Sequence, residues 1–189
     1  MGEHLSSKEQ NLLLKISREA LEIGVQGGRL EPINLKKLPN ILQEEGVTFV
    51  TLTSGGGLRG CIGALEATRP LAEDVQHHTI AAALNDYRFS PVKPDEIAEI
   101  RIEISYLTTP TSLSYEDPGD LVDKLRPGVD GVVIRDGMRR ATFLPQVWEK
   151  IPDIETFLNM LCQKMGSKPE LWKQKRIKVS TYQVEKFSE

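Results

Sequence analysis

Leu58-Arg59-Gly60-Cys61-Ile62-Gly63, directly after Gly55-Gly56-Gly57, decides how the first half of this chain is read. The run from Val47 to Thr53 is β-branched and aromatic, and the run from Leu58 to Leu65 follows the glycines. The pattern predicts two strands joined as a hairpin through a permissive glycine loop. Alternate side chains of a strand share a face, so Arg59, Cys61 and Gly63 are expected on one side and Leu58, Gly60 and Ile62 on the other. A guanidinium and a thiol then sit about 7 Å apart at their Cα atoms, with no side chain on Gly63 to cover them. A nearby cation favours thiolate over thiol. Cys61 is therefore a candidate nucleophile and Arg59 a candidate stabiliser of the thiolate or of a substrate anion. The competing reading is a small residue in a glycine-rich strand that another backbone approaches closely.

Outward from the hairpin, Pro70 suits a helix start, with Glu73 and Asp74 near its positive end, and the helix runs to about Leu84. Asn85 to Pro94 is irregular, broken by Pro91 and Pro94. Ile100, Ile102, Ile104 and Tyr106 alternate with polar residues as a half-buried strand does. Thr109 to Pro127 reads as loop with a short helix around Leu121 to Leu125. Val132 to Arg135, Asp136-Gly137 and Met138 to Leu144 form a second tight-hairpin signal. Asp153 caps a helix carrying Phe157, Leu158, Leu161, Cys162 and Met165, closed by Gly166, and Arg176 to Tyr182 reads as the last strand. On the N-terminal side, Ser6 and Glu9 stand at capping-box spacing, with Leu5 as staple. Leu12, Leu13, Ile16, Ala20 and Ile23 recur on one face up to Gly27-Gly28, and residues 32–45 are connector.

The order strand, glycine turn, strand, helix, loop, strand occurs from Gly46 to Leu107 and returns from Gly131 to Tyr182. Arg101-Ile102-Glu103-Ile104-Ser105 matches Arg176-Ile177-Lys178-Val179-Ser180, Arg139 takes the place of Arg59, and Ala141 that of Cys61. The expected fold is α+β: one domain with two sub-lobes at 46–107 and 128–184, a duplicated β-β-α-β unit, mainly antiparallel sheets, and a helix over 6–26 packed on them.

A chain of 189 residues with 39% hydrophobic and 27% charged residues and net charge −3 has ordinary soluble composition and no overall attraction to nucleic acid. The two cysteines, Cys61 and Cys162, form no CxxC pair, which fits a reducing, cytoplasmic setting without disulfides. Met1 to Gln10 is too polar for an ordinary signal peptide, and no apolar stretch approaches membrane-spanning length. No spaced His/Cys cluster suggests a metal, and no cofactor is expected. His77 and His78 read as solvated or boundary residues, with Asp74 spaced to pair with either.

Asn85-Asp86-Tyr87-Arg88-Phe89-Ser90-Pro91 combines hydrogen-bonding, charged and aromatic groups at a helix exit. Asn85, Asp86 and Arg88 face a ligand beside the Cys61 strand in one reading. In the other, Asn85 ends the helix, Phe89 plugs the core and Arg88 pairs with Asp86. Arg139, with Arg140 and Arg59, is a candidate anion-binding residue. Lys168, Lys173, Lys175, Arg176 and Lys178 with Trp172 form a basic, aromatic patch that is weakly suited to RNA.

The chain resembles the AMMECR-one domain family, which includes the microbial AmmeMemoRadiSam system protein A group. The resemblance rests on Gly46 to Leu52 leading into the LRGCIG run at 58–63, on Asn85 to Pro91, and on Ser105-Tyr106-Leu107. It continues through Gly128 to Val132, Thr142 to Trp148, and Phe157-Leu158 with Leu161-Cys162; Tyr87 stands where the family often has proline. The resemblance implies an α+β fold with two sub-lobes and a duplicated core, and it carries no reaction. The name of the microbial group implies association with a Memo-type protein and a radical S-adenosylmethionine protein in a modification pathway. The chain has no CxxxCxxC motif and so would not be the radical enzyme itself. The function expected is a cysteine-dependent enzyme or accessory protein; the alternative is a non-catalytic module that binds protein or RNA.

Overall fold

In a computed structural model, residues 4–189 are described; of the polar N-terminal stretch, residues 1–3 lie outside them. The chain forms two units, one reaching to Leu107 and including Glu185–Glu189, the other Thr108–Val184.

The first unit opens with helix α1 (Ser7–Val25), where the capping box forms as its spacing implies: Glu9 N–H donates to Ser6 Oγ and Ser6 N–H to Glu9 Oε2. Its buried face is Leu13, Leu14, Ser17, Ala20 and Leu21, rotated from the expected stripe, and Ile23 is exposed. The rotation brings Ser17 Oγ within 2.7 Å of Thr79 Oγ1 on a neighbouring helix, so a hydroxyl pair joins the interface and both polar groups are satisfied. The connector holds a 3-10 turn (Leu35–Lys37) and a single helical turn, α2 (Asn40–Gln43).

Strands β1 (Val47–Ser54) and β2 (Gly57–Gly63) follow as the glycines require. Gly55 and Gly56 both have positive φ, the pattern of a two-residue type I′ turn. Helix α3 (Leu71–Leu84) begins after Pro70 and covers the inner face of Thr48, Val50 and Leu52. It approaches so closely that a Cβ on Gly60 would lie 2.1 Å from the Ala82 carbonyl oxygen. Strand β3 (Arg101–Leu107) pairs with β1 on the side away from β2. His78, expected at the surface, is buried: its Nδ1 lies 3.1 Å from Asp74 Oδ2, which accepts from Thr48 N and Oγ1. The i,i+4 spacing from Asp74 selected His78, and His77 is left outside.

The second unit carries β4 (Thr111–Ser112), α4 (Pro118–Lys124), β5 (Gly131–Asp136), β6 (Arg139–Phe143), α5 (Ile154–Lys164), α6 (Leu171–Gln174) and β7 (Lys178–Tyr182). The β5–β6 turn places Gly137 first with positive φ and Met138 second. The core is built on Phe157, whose ring stacks on Trp148 at 3.5 Å, with Leu158, Leu161, Cys162 and Trp172 around it.

The sheets run β2-β1-β3-β8 and β4-β7-β5-β6, where β8 is Val184–Ser188. Hairpin, helix and third strand thus recur in the same spatial order, β2-β1-β3 and β6-β5-β7, and these pairs are antiparallel. The fold is α+β with a repeated β-β-α-β order. Two edge strands escaped the sequence reading, and each completes the sheet opposite to the strand it follows: β4 comes after β3, β8 after β7.

The residue correspondence between the repeats changes. The β1–β2 register slips between Leu52↔Gly60 and Thr53↔Leu58, so Arg59 is an extra, bulged residue. Counted from the turns, Cys61 opposite Thr51 matches Thr142 opposite Val133, not Ala141. Arg139 pairs with Asp136 as the first residue after its turn and is not the counterpart of Arg59. The third strands shift by two residues: Leu52 faces Ile102, and Ile134 faces Val179.

Candidate functional site

β2 is an edge strand, and Cys61 occupies one of its positions whose N–H and C=O point away from the sheet. Asp86 and Arg88 take up both groups. Asp86 Oδ2 accepts from Cys61 N–H at 2.9 Å, and Arg88 Nη2 donates to the Cys61 carbonyl at 3.0 Å. The two side chains also lock each other: Arg88 Nε to Asp86 Oδ1 at 2.9 Å and Nη2 to Oδ2 at 2.7 Å. The fork replaces the missing neighbouring strand at a single residue and closes the edge to further pairing.

The loop that carries the fork is a turn in which Phe89 N–H donates to Asp86 O at 3.0 Å and Arg88 N–H to Asp86 Oδ1 at 3.2 Å. Aspartate at the first turn position makes this side-chain bond readily. Tyr87 takes the second position, which favours proline, and the residue is 94% exposed. Asn85 ends α3, its N–H donating to Ala81 O, and is exposed. The Arg88 guanidinium and the Cys61 and Arg88 N–H groups hold the Asp86 carboxyl well below the usual range although it is buried.

Arg59 does not share the thiol's setting. Displaced by the bulge, it forms a two-pronged pair with Glu96, Nε to Oε1 at 2.8 Å and Nη2 to Oε2 at 3.0 Å. It also donates to the carbonyls of Ser90 at 2.8 Å and Pro91 at 3.3 Å. The expected role of Arg59 beside the thiol gives way to tying β2 to the Ser90–Glu96 segment. Nor is Gly63 uncovered: a Cβ there would fall 2.4 Å from the Phe49 ring, which occupies that space. Arg139 lies in the other unit, where it donates to Asp136 Oδ2 at 2.8 Å and Gly166 O at 3.3 Å.

What stands beside the Cys61 side chain is Thr51, directly opposite on β1, with Oγ1 at 3.3 Å from Sγ. Glu103 follows opposite Thr51 on β3, so Cys61, Thr51 and Glu103 form one row across three strands. Cys61 is half-buried, whereas Cys162 is fully buried and its thiol is pushed up by desolvation. Thr51 and Glu103 were missed by the sequence reading, although counting back from the glycine turn nearly reaches Thr51; the bulge adds the missing residue. Glu96 was missed as well, and its signal is the capping spacing from Lys93, whose N–H donates to Glu96 Oε2 at 2.8 Å. A groove of about 350 Å³ beside Arg59 is lined by Phe89, Ser90, Lys93, Asp95 and Glu96, and Cys61 is not part of its wall. Among the described residues no group of three His, Cys, Asp or Glu side chains is placed to hold a metal ion, and no helix is long and apolar enough to cross a membrane.

Glu96 has a pKa lowered to about 2, by Arg59 first and by the Lys93 N–H next. A carboxylate depressed from an unfolded value of about 4.3 contributes stability above that pH, and the contribution is lost as pH falls toward about 2. Glu96→Gln is expected to flatten the dependence of Tm on pH across this window, as read by thermal unfolding between pH 5 and 2. An unchanged slope would show that the pair adds nothing to folding.

An α+β protein of two β-β-α-β repeats, with a half-buried cysteine gripped through its backbone at a sheet edge, is the class these features define. The AMMECR1 profile matches residues 14–187, and the chain belongs to the AMMECR1 family. A protein of Methanothermobacter thermautotrophicus is 38% identical over 98% of this chain and 96% of its own length. One of Thermofilum pendens is 36% identical over 98% and 92%. The crystal structure of the uncharacterized protein PH0010 from Pyrococcus horikoshii superposes with a TM-score of 0.70 at 33% identity, covering 94% of this chain and 89% of that one.

Proposed function

We propose that Cys61 is the working residue of a cysteine-dependent enzyme or accessory protein. The observation that carries this reading is the fork: a buried carboxylate and an arginine fix the backbone of one half-buried cysteine at both N–H and C=O. Holding a reactive group by its surrounding shell is what a nucleophile requires. In this reading Cys61 Sγ gives an electron pair to a carbonyl carbon of the substrate, forming an S–C bond as the C=O π pair moves onto the carbonyl oxygen, which takes a proton from water. The thiol proton leaves to water past the Thr51 hydroxyl, and Arg88 supplies positive charge from its place on the Cys61 carbonyl. The association implied by the microbial group's name extends the proposal to a cytoplasmic modification pathway shared with Memo-type and radical S-adenosylmethionine proteins.

Alkylation of the native protein tests it, with buried Cys162 as internal reference. Cys61 is expected to react at neutral pH faster than a free cysteine, and Cys162 not at all until unfolding. Reaction at or below the rate of a free cysteine would defeat the nucleophile reading. A second reading, a non-catalytic interaction module, is favoured by the pairing of Arg59 with Glu96 and of Arg88 with Asp86, which leaves both cations structurally occupied. It expects Cys61→Ser to keep partner capture and fold intact.

A further inference from the structure

In the second unit, the exposed face of the sheet near the β5–β6 turn gathers positive charge that its own carboxylate does not neutralise. Arg135 on β5 stands directly opposite Lys178 on β7. Their neighbours along the strands, Ile134 and Val179, point into the core, so both cations share the outer face. Like charges directly opposite on neighbouring strands repel. Arg135, Arg176 and Lys178 are exposed, and among the described residues none has an ion-pair partner. Among the described residues Asp136 is the only acid lining this place, and both its oxygens are taken. Oδ1 accepts from Lys175 at 2.6 Å and Oδ2 from Arg139 at 2.8 Å. Lys175 and Arg139 thereby hold Asp136 below the ordinary carboxylate range.

These side chains enclose a groove of about 200 Å³, lined by Arg135, Asp136, Gly137, Arg176, Ile177 and Lys178. Arg176 is steadied with its guanidinium carbon 5.5 Å from the centre of the Tyr115 ring. The groove is too small for a drug-sized ligand. The patch read from the sequence as basic and aromatic is not aromatic at its surface: Trp172 is buried, with Nε1 donating to Asn159 Oδ1 at 2.8 Å, and Tyr115 is buried too. Lys173 is likewise drawn to Glu155 at 2.6 Å. Without an aromatic face, single-stranded nucleic acid has no stacking platform here. Arginines and a lysine converging without a counter-charge suit phosphate oxygens.

We propose that the groove between the β5–β6 turn and the start of β7 binds a small anion carrying two or more phosphates, held by Arg135, Arg176 and Lys178. Arg135 and Lys178, paired across neighbouring strands about 4.8 Å apart, converge on one phosphate. Arg176, on the same side of the chain as Lys178, takes the next. The bound anion relieves the cross-strand repulsion, so binding and stability are linked.

Sodium tripolyphosphate is the probe, with calorimetric titration and thermal unfolding of the whole chain against sodium chloride at equal ionic strength. Saturable binding and a rise in Tm above the salt control are expected. An Arg135→Gln, Lys178→Gln double variant is expected to bind at least tenfold more weakly, while its ligand-free Tm equals or exceeds that of the wild type. Lys150→Gln, an exposed cation elsewhere in the same unit, is expected to bind as the wild type does. Absence of saturable binding overturns the proposal. So does undiminished binding by the double variant, or a fall in its ligand-free Tm, which would make the cations structural. Binding of single- or double-stranded RNA or of anionic vesicles that tripolyphosphate does not displace also overturns it, in favour of a macromolecular surface.

Discussion

Gly60→Ala is expected to be the most damaging single-methyl change in the first unit, lowering stability by about 3 kcal/mol. The added Cβ would lie 2.1 Å from the Ala82 carbonyl oxygen and 3.0 Å from its carbon. Both atoms belong to the helix backbone, so no rotamer change gives way. The whole of α3 must move off β2, loosening the packing of Val50, Leu52, Ile62 and Val75 in the same core. Gly57→Ala is the control: its nearest neighbour would be the Ser54 carbonyl oxygen at 3.6 Å, and a change within about 0.5 kcal/mol is expected. Denaturant unfolding of the two variants decides the matter; equal midpoints would mean that helix and strand are less tightly held than this geometry requires.

Asp86→Asn is expected to cost nearly as much without altering shape. Each carboxylate oxygen accepts from donors only: Oδ2 from Cys61 N–H and Arg88 Nη2, Oδ1 from Arg88 N–H and Nε. An asparagine can offer an oxygen on one side alone, and its NH2 must then face donors on the other. A loss of about 2 kcal/mol is expected, less than for a fully desolvated pair because the Arg88 guanidinium keeps much of its water. Hydrogen exchange gives a local readout: the Cys61 amide is expected to exchange slowly in the wild type and far faster in the variant than amides at the centre of β1. Retained protection there would show that something other than the fork closes the edge. Because the Asp86 pKa is depressed, its stabilising share is present at neutral pH and lost as pH falls below about 4; the variant lacks that acid-sensitive component.

What could be read from the sequence was local. The Ser6–Glu9 box, the start of α3 after Pro70 and its end at Leu84, the Asp153 cap and both hairpin turns depend on residues within a few positions of each other. The α+β class and the repeated order followed from those elements. The bulge at Arg59 did not, because it is a property of two strands in register rather than of either alone. It changed the site most: one extra residue sent Arg59 to Glu96 and set Cys61 opposite Thr51. The pairing of Asp86 with Arg88 was visible at a spacing of two residues. Their hold on the Cys61 backbone, 25 positions away along the chain, was not. β8 escaped because Val184-Glu185-Lys186-Phe187-Ser188 is mostly polar and only partly buried.

The crossed completion of the two sheets bears on how the protein is made. β1, β2, α3 and β3 emerge early during synthesis, yet β3 gains its outer neighbour only when residues 184–188 appear, after the entire second unit. Until then the outer edge of β3 is open to pairing with other nascent chains. The closing contacts, Glu185 to His4 and Glu189 to Arg18, span almost the full sequence, a long-range closure of the kind that slows folding. A chain stalled or cut before Val184 therefore carries an unfinished first sheet, and translation through this segment supplies the strand that seals it.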